Sequence, residues 1–152
     1  MTGDQVGERL AARLARQAIL ARDDPPAAWF LVDEAALRRC VGSPEVMAAQ
    51  LAHLGGVARL PNVTIQVVPS IAHAGLLGGF AVAERAAYVE TAVAGQVFED
   101  AEIIAGLLTR FDTLRNEAFR GSESLALIER MCEEWTATGA RVATRVTTAG
   151  NA

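Results

Sequence analysis

The sequence predicts a single mixed α/β domain, on three observations. Apolar residues recur at three- and four-residue spacing toward both ends of the chain, the middle third carries short runs with period-two alternation, and glycine and proline punctuate the junctions. Together these give a small mixed sheet of four or five strands packed with N-terminal, central and C-terminal helices. At 152 residues the chain fits one ordinary domain. No linker, internal repeat or low-complexity tract divides it, so residues 1–138 form the domain and 139–152 a threonine- and alanine-rich tail expected to be mobile.

Each element has its own local cause. Val6, Leu10, Leu14 and Ala18 recur every four residues with Arg9, Arg13, Arg16 and Gln17 on other faces, which predicts an amphipathic helix from Val6 to about Ala21. Asp23, Asp24, Pro25 and Pro26 end it. Trp29–Val32 is too short for a helix and reads as a buried strand. Asp33 then caps a helix through Cys40, with Glu34 in its first turn and Gly42 at its stop. Ser43-Pro44-Glu45 starts the next helix, because serine caps, proline suits the first helical position and glutamate favours the positive end. Gly55-Gly56 is expected to end or loosen it.

Beyond Pro61-Asn62, Val63, Ile65 and Val67 alternate with Thr64 and Gln66 in a strand closed by Pro69. Trp29–Val32 and Val63–Val68 should run parallel across the intervening helices. Ser70–Gly79 has three glycines, one histidine and no periodicity, and reads as a loop. Phe80–Ala83 and Tyr88–Thr91 flank Glu84-Arg85 as a hairpin, and Gln96–Phe98 supplies one more strand. From Asp100 the helical period returns through Ile104, Leu107, Leu108, Phe111, Leu114 and Ala118 until Gly121. Ser122 can cap a last helix with Leu125, Ile128, Met131, Cys132 and Trp135 on one stripe and Gly139 at its end.

Composition excludes several functions. No stretch approaches the run of about 18–20 apolar residues that a membrane span needs, and the N-terminus lacks the continuous apolar core of a signal peptide. The expected location is the cytoplasm. A formal net charge of −4 opposes the electrostatic term that dominates nucleic-acid affinity, so no direct nucleic-acid contact is expected. All fourteen basic residues are arginine. The absence of lysine excludes a phosphate-loop lysine, a Schiff-base or pyridoxal enzyme and a serine–lysine hydrolase. The two cysteines, Cys40 and Cys132, have no metal-ligand spacing and read as reduced packing thiols. No zinc, calcium, phosphate-loop or dinucleotide motif appears, so neither a metal nor a cofactor is expected.

Candidate chemistry narrows to a few side chains. His53 sits at the border of a helical apolar face and suits a partly exposed structural role. His73 lies in the glycine-rich loop at a strand exit, where binding groups concentrate. Tyr88 and Glu90 stand two apart on a strand and share a face. They fit either a phenol and a carboxylate lining a pocket with His73, or an edge-strand face turned to water. Asp33 and Glu34 are explained by capping. Arg9, Arg13 and Arg16 form a basic row at helical spacing, which usually marks a solvated face.

Seven segments in order carry a resemblance: RLARQAIL at 13–20, DEAALRR at 33–39, VMAAQLAHL at 46–54, PNVTIQVVP at 61–69, HAGLLGGFAV at 73–82, YVE at 88–90 and ESLALI at 123–128. The series resembles the C-terminal domain of actinobacterial antitoxin-like regulators of the XRE helix-turn-helix type. It covers roughly residues 8 to 136, and Gly55-Gly56 departs from its pattern. The resemblance implies a regulatory domain of unassigned function that senses an effector, dimerises or engages a small partner protein. Nothing before Arg13 has room for a helix-turn-helix, so the chain reads as a truncated regulatory domain or a stand-alone relative. The leading expectation is a non-enzymatic module that homodimerises and binds an effector or partner. The alternative is a small-molecule-binding protein or enzyme of a specialised biosynthetic pathway, using His73, Tyr88 and Glu90.

Overall fold

The computed structural model describes residues 3–70, 78–91 and 93–149. Helix α1 spans Gly3–Gln17 and continues as a 3-10 turn over Ala18–Ala21. Strand β1 is Ala28–Asp33, α2 is Glu34–Arg38, α3 is Pro44–Val57 and β2 is Val63–Val68. Then come β3 (Phe80–Ala83), β4 (Ala86–Glu90), β5 (Gly95–Phe98), α4 (Ala101–Glu117) and α5 (Gly121–Ala149).

The mixed α/β class holds, but the five strands divide between two sheets instead of joining in one. β1 and β2 pair in parallel with Ala28 beside Val63 and Asp33 beside Val68, as the crossover through α2 and α3 requires. β3, β4 and β5 form a separate antiparallel meander. The outer edge of β2 is closed to a further strand. There Phe119 donates its N–H to the Val67 carbonyl (2.9 Å), and the Val67 N–H is taken by the Ser124 hydroxyl (2.9 Å). Gln66 Nε2 donates to the Phe119 carbonyl (2.9 Å). The connection between α4 and α5 thus occupies the edge where a third strand would add.

The main core lies between the first sheet and the α3–α5 pair. Val63, Ile65 and Val67 point one way from β2 and meet Leu51 of α3, Leu37 of α2, and Leu127, Ile128 and Met131 of α5. Burying an aliphatic side chain of this kind contributes about 1.5–3 kcal/mol, and Ile128 and Val67 are fully buried. Helix α4 packs against both sheets, and no strand of one sheet pairs with a strand of the other.

Local signals act as the sequence implies at most helix starts. Ser43 caps α3 by accepting from the Val46 N–H (3.4 Å), and its hydroxyl donates to Glu45 (2.6 Å). Asp100 caps α4 by accepting from Glu102 and Ile103 (2.9 and 3.0 Å). Two glycine stops fail. The Gly55-Gly56 pair stays within α3, because Gly55 is buried where α3 lies against Leu125 and Ile128 of α5. Gly139 does not end α5, which continues to Ala149; its missing side chain lets α5 pass close to Glu45 of α3. Helix α2 is shorter than expected, leaving Cys40 exposed beyond its end and outside any packing role. Cys132 is half-buried and donates its thiol to the Ala48 carbonyl (3.3 Å). No helix among the described residues is long and apolar enough to cross a membrane.

Candidate functional site

Strand alternation decides where the candidate side chains go. In β4, Ala87 and Val89 turn inward, and Ala87 is buried; Tyr88 and Glu90 turn to the opposite, exposed face. The expected shared face is therefore present. Tyr88 stands opposite Ala81 on β3 and Val97 on β5, and Glu90 stands opposite Gly95.

The Tyr88 ring also has a structural task. It lies across the diagonal neighbour Gly95 so closely that a Cβ at position 95 would fall inside the ring. Gly95 is thus the residue that lets the phenol lie flat along the sheet, covering backbone that a side chain would otherwise protect. Among the described residues, the Glu90 carboxylate makes no ion pair and faces water.

His73 belongs to 71–77, outside the described residues. The described residues on either side of that segment are held. At the start, Ser70 donates its N–H to Glu34 Oε2 (3.3 Å). At the far end, Glu90 donates its N–H to the Gly79 carbonyl (2.9 Å), and Gly78 takes φ +140 beside the Glu90 carbonyl, a backbone state that favours glycine.

Glu34 has a role the sequence reading missed. Its Oε1 accepts from Arg38 Nε and Nη2 (2.9 and 2.6 Å) while Oε2 holds Ser70, so one carboxylate ties α2 to the end of the β2 segment. The Arg38 side-chain hydrogen bond holds the Glu34 carboxyl below its ordinary range, partial burial works against this, and the Ser70 N–H adds to it. A glutamate four residues before an arginine on a helix is a visible signal for the first contact; nothing local signals the second. Asp33 caps α2 by accepting from Ala35 (2.7 Å).

The other candidates do not converge. His53 is exposed on α3, and Arg16 is exposed on α1. No group of histidine, cysteine or acidic side chains among the described residues could hold a metal ion. A shallow hollow of about 470 Å³ lies between the β3–β4 turn and the start of α4, lined by Glu84, Arg85, Glu99, Ala101 and Ile104. By the strand register it sits at the end of the second sheet away from Glu90 and Gly79. It is open to solvent and mixes both charges, so it offers no enclosed apolar seat of the kind small molecules prefer.

Comparison with known proteins adds one finding. Residues 1–130 match the family model described as Domain of unknown function (DUF5753). None of the curated proteins and none of the solved structures matches.

Proposed function

The chain belongs to the DUF5753 family, and on that footing we propose that it is the regulatory module of a cytoplasmic transcription regulator of the actinobacterial, antitoxin-like type. In this reading it homodimerises and binds an effector or small partner protein, while DNA is contacted by another segment. The observation that carries the reading is the seven-segment series, which runs in order through the matched residues. Acidic net charge supports the absence of direct DNA contact.

The test is an anisotropy titration of the chain alone against duplex DNA at about 0.15 M salt, where exposed charges are screened beyond roughly 8 Å. No sequence-dependent binding should be seen below about a micromolar, whereas specific binders reach roughly 10⁻⁸ M or tighter. Sequence-dependent binding in that range would make α1, with its arginines, a DNA-contacting arm and would overturn this part of the reading.

A second reading has its own supporting observation, the hydrogen bonds that hold Ser70 on Glu34 and Gly79 on the Glu90 backbone. It takes the protein as a binder or enzyme for a small molecule held by His73, Tyr88 and Glu90. A thermal-shift screen of the wild type against His73→Ala, Tyr88→Phe and Glu90→Gln tests it. A compound that stabilises the wild type and none of the three variants supports this reading, and one that stabilises all four equally ends the site proposal.

A further inference from the structure

Strand β1 has one open edge and two exposed aromatic residues. Trp29 and Phe30 are 53% and 42% exposed, and as neighbours on a strand they point to opposite faces of the first sheet. An element lying on either face would cover only one of them. A strand added alongside the edge reaches both.

The backbone points the same way. Ala28 donates its N–H to the Asn62 carbonyl (2.8 Å) on the β2 side. Successive residues of a strand turn their N–H and C=O groups to opposite edges. Trp29 and Leu31 therefore direct theirs outward, where no described strand pairs with β1. The opposite edge of the sheet is closed by Phe119 and Ser124. Among the described residues, β1 is the edge at which this sheet can grow.

We propose that the outer edge of β1 is the seat of a second copy of this chain, whose own β1 pairs with it antiparallel about a two-fold axis at Phe30. This deepens the dimerisation part of the proposed function and rests on it. In that register Trp29 stands opposite Leu31 of the second copy, Phe30 opposite Phe30, and Ala28 opposite Val32, so every pair is apolar. Shifting the axis to Leu31 would set Trp29 against Asp33, whose carboxylate already caps α2.

Charge at the two ends of the strand fits the antiparallel sense. Asp23 and Asp24 are exposed just before β1, and Arg39 is exposed just after α2. Two-fold antiparallel pairing brings the acids of each copy toward Arg39 of the other. Parallel pairing would instead set the acids of one copy beside those of the other.

The experiment is sedimentation equilibrium of the full chain over a concentration series, with far-ultraviolet dichroism to confirm folding. The wild type should show a concentration-dependent monomer–dimer equilibrium. Trp29→Lys, a charge of the kind that guards natural sheet edges, should weaken it about tenfold or more with the fold retained. Joint Asp23→Arg and Asp24→Arg substitution should weaken it about threefold or more, and adding Arg39→Glu should restore it to within about twofold. A wild type monomeric at high micromolar concentration overturns both this seat and the dimerisation reading. A folded Trp29→Lys variant that dimerises like the wild type overturns the seat alone, as does failure of the Arg39→Glu rescue for the antiparallel sense.

Discussion

Replacing Ser124 with alanine tests what closes the outer edge of β2. Ser124 is fully buried, and its hydroxyl both accepts from the Val67 N–H (2.9 Å) and donates to the Phe119 carbonyl (3.2 Å). The Phe119 carbonyl keeps another donor, Gln66 Nε2, so its loss is small. Val67 is fully buried, and its N–H would be left without an acceptor. An orphaned buried donor costs about 1–3 kcal/mol, so Ser124→Ala should destabilise by about 2 kcal/mol. For a chain of this size that is a fall in melting temperature of about 4–8 °C. The assay is urea unfolding followed by dichroism, with the slope unchanged and the midpoint lowered. Thr136→Ala is the control, since that hydroxyl is exposed and merely bonds the carbonyl of Cys132 one turn back (2.8 Å). It should fall within about 0.5 kcal/mol of the wild type. A Ser124→Ala variant equally close to wild type would refute the account of the β2 edge.

Three further perturbations address other joints. Trp135→Phe removes the indole N–H donated to the Leu37 carbonyl (2.9 Å) that ties α5 to α2, and should cost about 1–2 kcal/mol by urea midpoint; no change would mean the bond is unimportant. Gly95→Val should destabilise the second sheet strongly in the wild type but much less beside Tyr88→Ala, because the two side chains compete for one space; additive effects in the double-mutant cycle would contradict that contact. The Glu34 carboxyl is lowered in the fold, so its contribution is present above the ordinary glutamate value of 4.5 and is lost as pH falls through the lowered value. The stability gap between wild type and Glu34→Gln should therefore shrink on acidification through that range, and a gap constant from pH 7 to 3 would remove Glu34 from the account.

Much of the fold was legible because its signals are local. The Ser43-Pro44-Glu45 start, the Asp33 and Asp100 ends, the alternation of Val63–Val67 and the turn at Glu84-Arg85 depend on residues within one turn of each other. The division into two sheets was not legible. The closing of the β2 edge was hidden too, since it depends on a hydroxyl 57 positions away and no periodicity announces that Ser124 will meet Val67. The two glycine stops misled for a related reason. Glycine costs about 1 kcal/mol in a helix interior, which local reading takes as a break. At Gly55 and Gly139, however, the bare backbone faces another helix, and a long amphipathic helix such as α5 absorbs one weak position.

For the candidate site, the shared face of Tyr88 and Glu90 followed from period-two alternation alone. What alternation could not supply was the diagonal glycine under Tyr88 or the hold of Glu34 on Ser70, both of which join residues from different elements. The open edge of β1 was equally hidden. Trp29–Val32 has the uniformly apolar composition of a buried strand, and only the topology shows that it lies at an edge with Trp29 and Phe30 half in water.

The most direct test of the regulatory reading asks whether the chain can make a DNA-binding segment act as a pair. The chain is fused behind a helix-turn-helix that binds its palindromic operator only when dimerised, and operator binding is followed by anisotropy at about 0.15 M salt. A domain that dimerises for regulation should tighten operator binding at least about tenfold over the unfused helix-turn-helix, and Trp29→Lys should abolish the gain. Equal affinity of the fused and unfused proteins would contradict the claim that this domain pairs DNA-binding segments.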